Sequence, residues 1–271
     1  MQHKLIAFIG GGNMAKAIIL GLLKQGYPAK QIIVNDPNEE KRTFFANLGV
    51  ATSENNVESA TKAEVVLLAV KPQMMAEVCS PLSAVDFSDK LLISIAAGIS
   101  TERLNVLIPS IKATVRVMPN TPALVGEGMA GLFAPKNTSE NYRTFAQDLL
   151  GSVGRTVWVD DETQMHAVTA ASGSSPAYFF LMLEAMQQAL IKMNIDEKTA
   201  RELVQQSMLG AAKMVAENPQ IALSTLRENV TSKGGTTAAA LAVFDAQHFN
   251  QTIEQAMQAC LSRSQEMETL F

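Results

Sequence analysis

The chain is poor in residues that staple, ligate or anchor. Two cysteines, Cys79 and Cys260, stand far apart in 271 residues. Both sit in apolar-periodic surroundings, so neither a disulfide framework nor a metal motif can be read from them. Each reads as a small buried hydrophobe. Such sparse usage fits a reducing cytoplasm, the compartment expected here. Three histidines, His3, His166 and His248, form no His/Asp or Cys/His constellation for a nucleophile and no spaced ligand set. No metal is therefore expected. His3 and His248 are expected at the surface, and His166 on a helix as a structural histidine with satisfied partners. No apolar stretch approaches a membrane span, and the opening apolar run is too short for a signal peptide. Lys and Arg are unclustered and the net charge is −4, which argues against nucleic acid as the main partner. What remains, 47% hydrophobic and 18% charged, is an ordinary globular composition, long enough for two domains.

The stretch that organises the chain is Lys4-Leu-Ile-Ala-Phe-Ile-Gly10-Gly11-Gly12-Asn13-Met14-Ala15. A short apolar run feeds into G-x-G-x-x-A, and an apolar-periodic helix follows through Ile18, Ile19, Leu22 and Leu23. In a dinucleotide fold the first glycine makes the tight turn and the second lets backbone approach a pyrophosphate. The third small residue lets helix and strand pack closely. The N–H groups at the helix start then face the phosphates.

Gln31-Ile-Ile-Val-Asn35-Asp36 reads as a second strand with an acid at its end, where such folds hold a ribose 2′-OH. Taken alone, Asp36 favours NAD(H), since a carboxylate repels a 2′-phosphate. Asn35, Asn38, Lys41 and Arg42 are close enough to accommodate a phosphate instead. The alternative is that Asp36 only begins a turn at Pro37 and caps the next helix, expected over 39–48 and ended by Gly49. Glu64-Val-Val-Leu-Leu-Ala-Val70 has the continuous apolar pattern of a strand buried on both faces, and it ends in Lys71-Pro72. A helix through Val78 and a strand over 91–95 follow. The small residues Ala96-Ala97-Gly98 would let a flat nicotinamide approach, or would simply make room for packing. Strands at 112–117, 130–133 and 156–159, the last two flanking a helix at 139–150, complete the sheet.

From about Asp161 the texture changes to Ala, Met, Leu, Gln and Glu at helical spacing. Gly173 and Pro176 should kink or split the helix that carries them, and a second long helix is expected over 196–216. Met-rich faces (Met182, Met186, Met208, Met214) suggest a subunit interface, with an ordinary core as the alternative. The stretch Val230-Thr231-Ser232-Lys233-Gly234-Gly235-Thr236-Thr237 runs into an Ala-rich helix. Exposed backbone N–H groups, hydroxyls and a helix N-terminus together suit a small anion such as a carboxylate. Thr236 or Thr237 could instead be an ordinary helix cap. With so little acid–base machinery elsewhere, hydride addition to an imine fits, because the cofactor carries that chemistry.

These motifs resemble the pyrroline-5-carboxylate reductase family over nearly the whole chain. The resemblance rests on Phe8–Ala15, Ala69-Val70-Lys71-Pro72, Arg116-Val-Met-Pro-Asn-Thr-Pro-Ala123, Ser172–Tyr178, Leu209–Met214 and Val230–Thr237. One departure is Gly173-Ser174-Ser175-Pro176 where the family usually reads Gly-Ser-Gly-Pro. The resemblance implies an α/β fold with a Rossmann-type dinucleotide-binding domain (1–160) and an all-α substrate-binding and dimerisation domain (161–271). It implies reduction of the imino acid 1-pyrroline-5-carboxylate to L-proline with NADP(H), NAD(H) being possible, by a homodimer whose dimers assemble further. Gly10, Gly12, Asn13 and Met14 would hold the pyrophosphate, with Asn35, Asp36 and Asn56 near the adenosine ribose. Ala69, Val70, Lys71, Pro72, Ala97 and Gly98 would border the nicotinamide and its ribose. Ser232, Gly234, Gly235 and Thr236 would bind the substrate carboxylate, and the catalytic Thr237 hydroxyl would meet the ring nitrogen.

Two other readings compete. β-Hydroxyacid dehydrogenases share the glycine turn but use a lysine on the long interdomain helix, and no lysine lies between Gln164 and Ala189. A non-catalytic dinucleotide sensor would not need a second anion site.

Overall fold

The structure, a computed structural model, describes residues 2–270. Its first half alternates strands and helices: β1 (Ile6–Ile9), α1 (Asn13–Lys24), β2 (Ile32–Asn35), α2 (Glu39–Ala46), β3 (Ala51–Ser53), α3 (Asn56–Lys62), β4 (Val65–Leu68), α4 (Met75–Leu82), β5 (Leu91–Ser94), α5 (Thr101–Leu107) and β6 (Ala113–Met118). There follow β7 (Gly128–Phe133), α6 (Glu140–Gly151) and β8 (Gly154–Trp158). They form one sheet in the order β3-β2-β1-β4-β5-β6-β7-β8. Strands β1 to β6 run parallel, with Ile6 opposite both Ile32 and Val65. Strand β7 reverses against β6, pairing Arg116 with Phe133, and β8 runs parallel to β7.

Alternation along each strand divides the core into two layers, because successive side chains point to opposite faces. Ile6, Phe8, Val65, Leu67, Leu91 and Ile93 pack with Ile18, Ile19 and Leu22 of α1 on one face. Ala7, Ile9, Val66, Leu68 and Leu92 pack with Met75, Cys79, Leu82 and Phe87 on the other. All four residues of β1, β4 and β5 are buried, the condition that their unbroken apolar runs predict. Strand β3 was not legible in the sequence: it is three residues long, Ala-Thr-Ser, with no apolar run. Gly49 ends the α2 segment as expected, in the left-handed region at φ 77°.

The helical portion comprises α7 (Gln164–Val168), α8 (Ser175–Lys192), α9 (Glu197–Glu217), α10 (Leu223–Asn229), α11 (Thr236–Ala246) and α12 (Phe249–Leu270). The break expected near Gly173 and Pro176 is a π-turn, Thr169–Gly173, after which α8 restarts with Pro176 in its first turn. A π-turn widens the ring of backbone bonds, as in Ser174 N donating to Thr169 O.

Packing divides the chain into two units, 1–176 with 259–271, and 177–258. The first unit therefore contains the α/β sheet, α7, the π-turn and the last turns of α12. A boundary at residue 160, expected from the change in texture, misses this return. In the second unit only Ala200 and Val204 are buried. Phe179, Phe180 and Leu181 of α8 are 53%, 63% and 66% exposed. A helical unit this apolar at its surface has not buried its own hydrophobic faces.

Candidate active site

Within the first unit a cavity of about 290 Å³ lies at the carboxyl ends of β1, β2 and β4. Strand order reverses between β1 and β4, the switch point at which open α/β sheets bind ligands. Gly10, Gly12, Asn35, Asp36, Asn56, Ala69, Val70 and Lys71 all line this cavity. Asn13 and Met14 are the first residues of α1, and Pro72 opens the 3-10 turn Pro72–Met74 just beyond. A wider open cleft of about 750 Å³ along β8 contains none of the predicted residues.

The glycine turn is specified by contact. Gly10 has φ +104°, and a Cβ built on it would lie 2.6 Å from the Ala69 carbonyl oxygen. Gly12 has an ordinary φ of −74° and caps α1 without any side-chain hydrogen bond. A Cβ on Gly12 would meet nothing within 4 Å. Helices α2, α3 and α5, by contrast, are capped by Asn38, Asn55 and Ser100. Thus α1 presents an uncapped N-terminus and an open cradle to the cavity, a combination that fits a pyrophosphate.

Asp36 sits beside that turn and is 6% exposed. Its Oδ2 accepts from Gly11 N at 2.9 Å and from Lys41 Nζ at 3.0 Å, and its Oδ1 accepts from Asn38 N at 2.9 Å. Burial pushes the carboxyl pKa up, but these bonds from Asn38, Gly11 and Lys41 together hold it below the usual range. Asp36 does not cap α2, since Asn38 takes that place. It does form the turn, and it also braces the glycine loop. Asn35, expected at the ribose, lines the cavity, but its amide is engaged inside the sheet. Its Nδ2 donates to Phe8 O at 3.3 Å and its Oδ1 accepts from Ser59 Oγ at 2.8 Å.

Neither Ala97 nor Gly98 lines the cavity. The room Gly98 provides is taken by a helix: at φ +70° its Cβ would fall 2.9 Å from Met267 Cβ on α12. The same end of α12 is held by an ion cluster that reading the sequence missed. Arg116, 3% exposed on β6, donates from Nη1 to Glu162 Oε1 at 2.9 Å and to Glu268 Oε1 at 2.7 Å. Glu162 also accepts from Thr101 N at 2.8 Å and Thr101 Oγ1 at 2.6 Å. His166 is satisfied, as expected, with Nδ1 2.9 Å from Ser264 Oγ and Nε2 3.1 Å from Glu268 Oε2. The signal was a lone charged residue inside the buried strand Thr114-Val-Arg116-Val. Asn120, in the stiff proline loop, donates to Ser172 O and accepts from Met129 N, tying that loop to the π-turn and β7.

Within the second unit, Ser232, Gly234, Gly235, Thr236 and Thr237 form the turn that opens α11. Gly235 is the N-cap, and no side chain caps the helix. Thr236 and Thr237 occupy the first two helical positions, so neither acts as the cap. Gly234 has φ +72°, and a Cβ on Gly235 would clash with Ser232 Oγ at 2.4 Å. The turn thus places two glycines, three hydroxyl residues and an uncapped helix N-terminus together, as an anion receptor requires.

Among the described residues no helix is long and apolar enough to cross a membrane, and no cluster of three or more His, Cys, Asp or Glu could hold a metal. Residues 5–98 match the family model described as NADP oxidoreductase coenzyme F420-dependent, and residues 162–267 match that for pyrroline-5-carboxylate reductase dimerisation. The chain is 95% identical over 271 residues to the pyrroline-5-carboxylate reductase of Haemophilus influenzae, covering 100% of both. It is similar to the solved pyrroline-5-carboxylate reductase of Coxiella burnetii, with TM-score 0.92 and 37% identity over 98% of this chain and 99% of that one. The pyrroline carboxylate reductase of Plasmodium falciparum, solved with NADP bound, gives TM-score 0.88 and 29% identity over 99% of both chains. A switch-point cavity with an uncapped glycine turn, a hydroxyl-rich helix entry and full-length similarity agree, and the chain belongs to the pyrroline-5-carboxylate reductase family.

Proposed function

We propose that this chain reduces 1-pyrroline-5-carboxylate to L-proline, with NADPH as the preferred cofactor and NADH accepted. The observation that carries the reading is 95% identity over the full length to a reductase of that name. The nicotinamide, when bound, would supply a hydride to the imine carbon of a substrate that arrives protonated on its ring nitrogen, so hydride addition alone completes the amine. The backbone N–H groups at the start of α1, with Gly10 and Gly12, hold the pyrophosphate. Asp36 and Asn56 face the adenosine ribose, and Ala69, Val70, Lys71 and Pro72 border the nicotinamide side. Ser232, Gly234, Gly235 and Thr236 bind the substrate carboxylate through N–H and hydroxyl donors, and Thr237 donates a hydrogen bond at the ring nitrogen. Orientation supplies much of the rate, since no strong acid or base is needed. Residues before about 160 do the dinucleotide work, and those after it bind substrate and assemble the protein. The exposed apolar helices of 177–258 support a homo-oligomer, and we assign it as a homodimer whose dimers can assemble further.

The test is oxidation of NADPH and NADH, side by side, with 1-pyrroline-5-carboxylate, for the wild type and Thr237→Ala. The variant should lose about 10²–10³-fold in kcat/KM, the scale of one oriented donor at a reacting centre. Its Kd for NADPH should not change. An unaltered kcat/KM would remove Thr237 from the chemistry.

A further inference from the structure

We infer that Lys41 is the residue that admits a 2′-phosphate, and that the Lys41–Asp36 pair lets one pocket accept both NADPH and NADH. The inference rests on the dinucleotide reading of the β1–β2–β4 cavity given above. A carboxylate at the end of β2 would ordinarily select against a phosphorylated ribose, so some cation must offset Asp36 if NADPH is to enter.

The structure eliminates the neighbours one by one. Asn35 has its amide committed to Phe8 O and Ser59. Asn38 uses Oδ1 to cap α2 at Lys41 N, 3.0 Å away, and its amide carries no charge to offset Asp36. Arg42 is tethered three times: Nη1 donates to Asp36 O at 2.8 Å and Pro37 O at 2.9 Å, and its other terminal nitrogen pairs with Glu54. Its side chain is 16% exposed. Lys71 also lines the cavity, but it follows β4, which lies on the far side of β1 from β2. That leaves Lys41, which lines the same cavity as Asp36 and Gly12. Its side chain is 46% exposed and its Nζ makes one bond, 3.0 Å to Asp36 Oδ2.

The donor and acceptor inventory explains tolerance of both cofactors. A carboxylate offers about four acceptor positions, and Gly11 N, Asn38 N and Lys41 Nζ occupy three of them. One remains for a ribose hydroxyl, which suits NADH. An ammonium carries three donors, and Lys41 commits one of them to Asp36. The others suit a phosphate, while the shared ion pair cancels the charge that would repel it.

The experiment is equilibrium titration, following the fluorescence of reduced nicotinamide, of the wild type, Lys41→Met and Lys41→Arg with NADPH and NADH. Lys41→Met should raise the Kd for NADPH by about tenfold or more, the scale of one charge-assisted bond at a partly exposed site. The Kd for NADH should stay within about twofold, since a hydroxyl does not need the cation. Lys41→Arg should restore NADPH binding, and rising salt should weaken NADPH binding to the wild type more than to Lys41→Met. A second readout isolates the ribose: adenosine 2′,5′-bisphosphate should outcompete adenosine 5′-monophosphate on the wild type and lose that advantage on Lys41→Met. An unchanged NADPH Kd in Lys41→Met, or an equal rise for both cofactors, overturns the inference while leaving the dinucleotide site intact. A wild type that binds neither cofactor overturns the proposed function itself.

Discussion

Two alanine substitutions, two residues apart, should fail in opposite ways. At Gly10 the backbone lies at φ +104°, and the new Cβ would stand 2.6 Å from the Ala69 oxygen and 2.9 Å from its carbon. A non-glycine residue held there costs about 1–3 kcal/mol. The overlap with a fixed backbone carbonyl adds about 1–3 kcal/mol more, because β4 must shift to relieve it. Gly10→Ala should therefore lose about 2–6 kcal/mol, or roughly 5–20 °C in Tm for a domain of this size. At Gly12 the φ is −74° and the space is open. Alanine there restricts the unfolded chain, a gain of about 0.4–1 kcal/mol, against a similar loss as a poorer N-cap. The Tm of Gly12→Ala should stay within about 2 °C of wild type. Its methyl group, however, would stand in the open space proposed above for the pyrophosphate. Losing one or two hydrogen bonds to a charged group should weaken dinucleotide binding by about tenfold to several hundredfold. Scanning calorimetry and nicotinamide fluorescence read the two effects separately. The reasoning is refuted if Gly12→Ala binds NADPH like wild type, or if it melts as early as Gly10→Ala.

Arg116→Met should cost about 3 kcal/mol or more in urea unfolding, because Glu162 and Glu268 would be left facing each other without their shared cation. Glu268→Gln should cost less, about 1 kcal/mol, since Glu268 is 28% exposed and Glu162 still pairs with the arginine. Burial raises the Tyr27 pKa to about 12, with Glu64 adding to the rise against a smaller lowering pull from the Lys4 backbone. The folded state thus holds that proton more tightly than the unfolded chain. The stability it contributes is fully present below pH 10 and drains away as pH rises to about 12. Tyr27→Phe should flatten that alkaline slope in a melting series and lower stability by about 1 kcal/mol at neutral pH.

What the sequence made legible was local. The glycine turn could be read because Gly10, Gly12 and Ala15 answer to backbone geometry within a few residues. Strand β4 could be read because burial on both faces demands an unbroken apolar run. The entry to α11 could be read because glycines and hydroxyls crowd one helix start. Distant partners hid the rest. Asp36 could have been a ribose ligand or a turn former, and only its bonds to Gly11, Asn38 and Lys41 show how its acceptors are divided. Gly98 read as cofactor clearance or as packing room, and its packing neighbour, Met267, lies far along the chain. Arg116 pairs with Glu268 across 152 positions, a distance at which no spacing rule operates, and so the return of α12 to the first unit went unseen.

That return bears on how the protein is made. The sheet leaves the ribosome early, and domains ordinarily fold in the order of their synthesis. Here, however, Ser264, Met267 and Glu268 emerge only after the whole of residues 177–258. Until then His166 lacks both of its partners, Arg116 has only Glu162, and the space beside Gly98 is unfilled. A nascent chain is therefore held short of completion through the translation of a second folding unit. A chain cut within the last turns of α12 would carry that defect back into the cofactor-binding half, where a degradation system could recognise it.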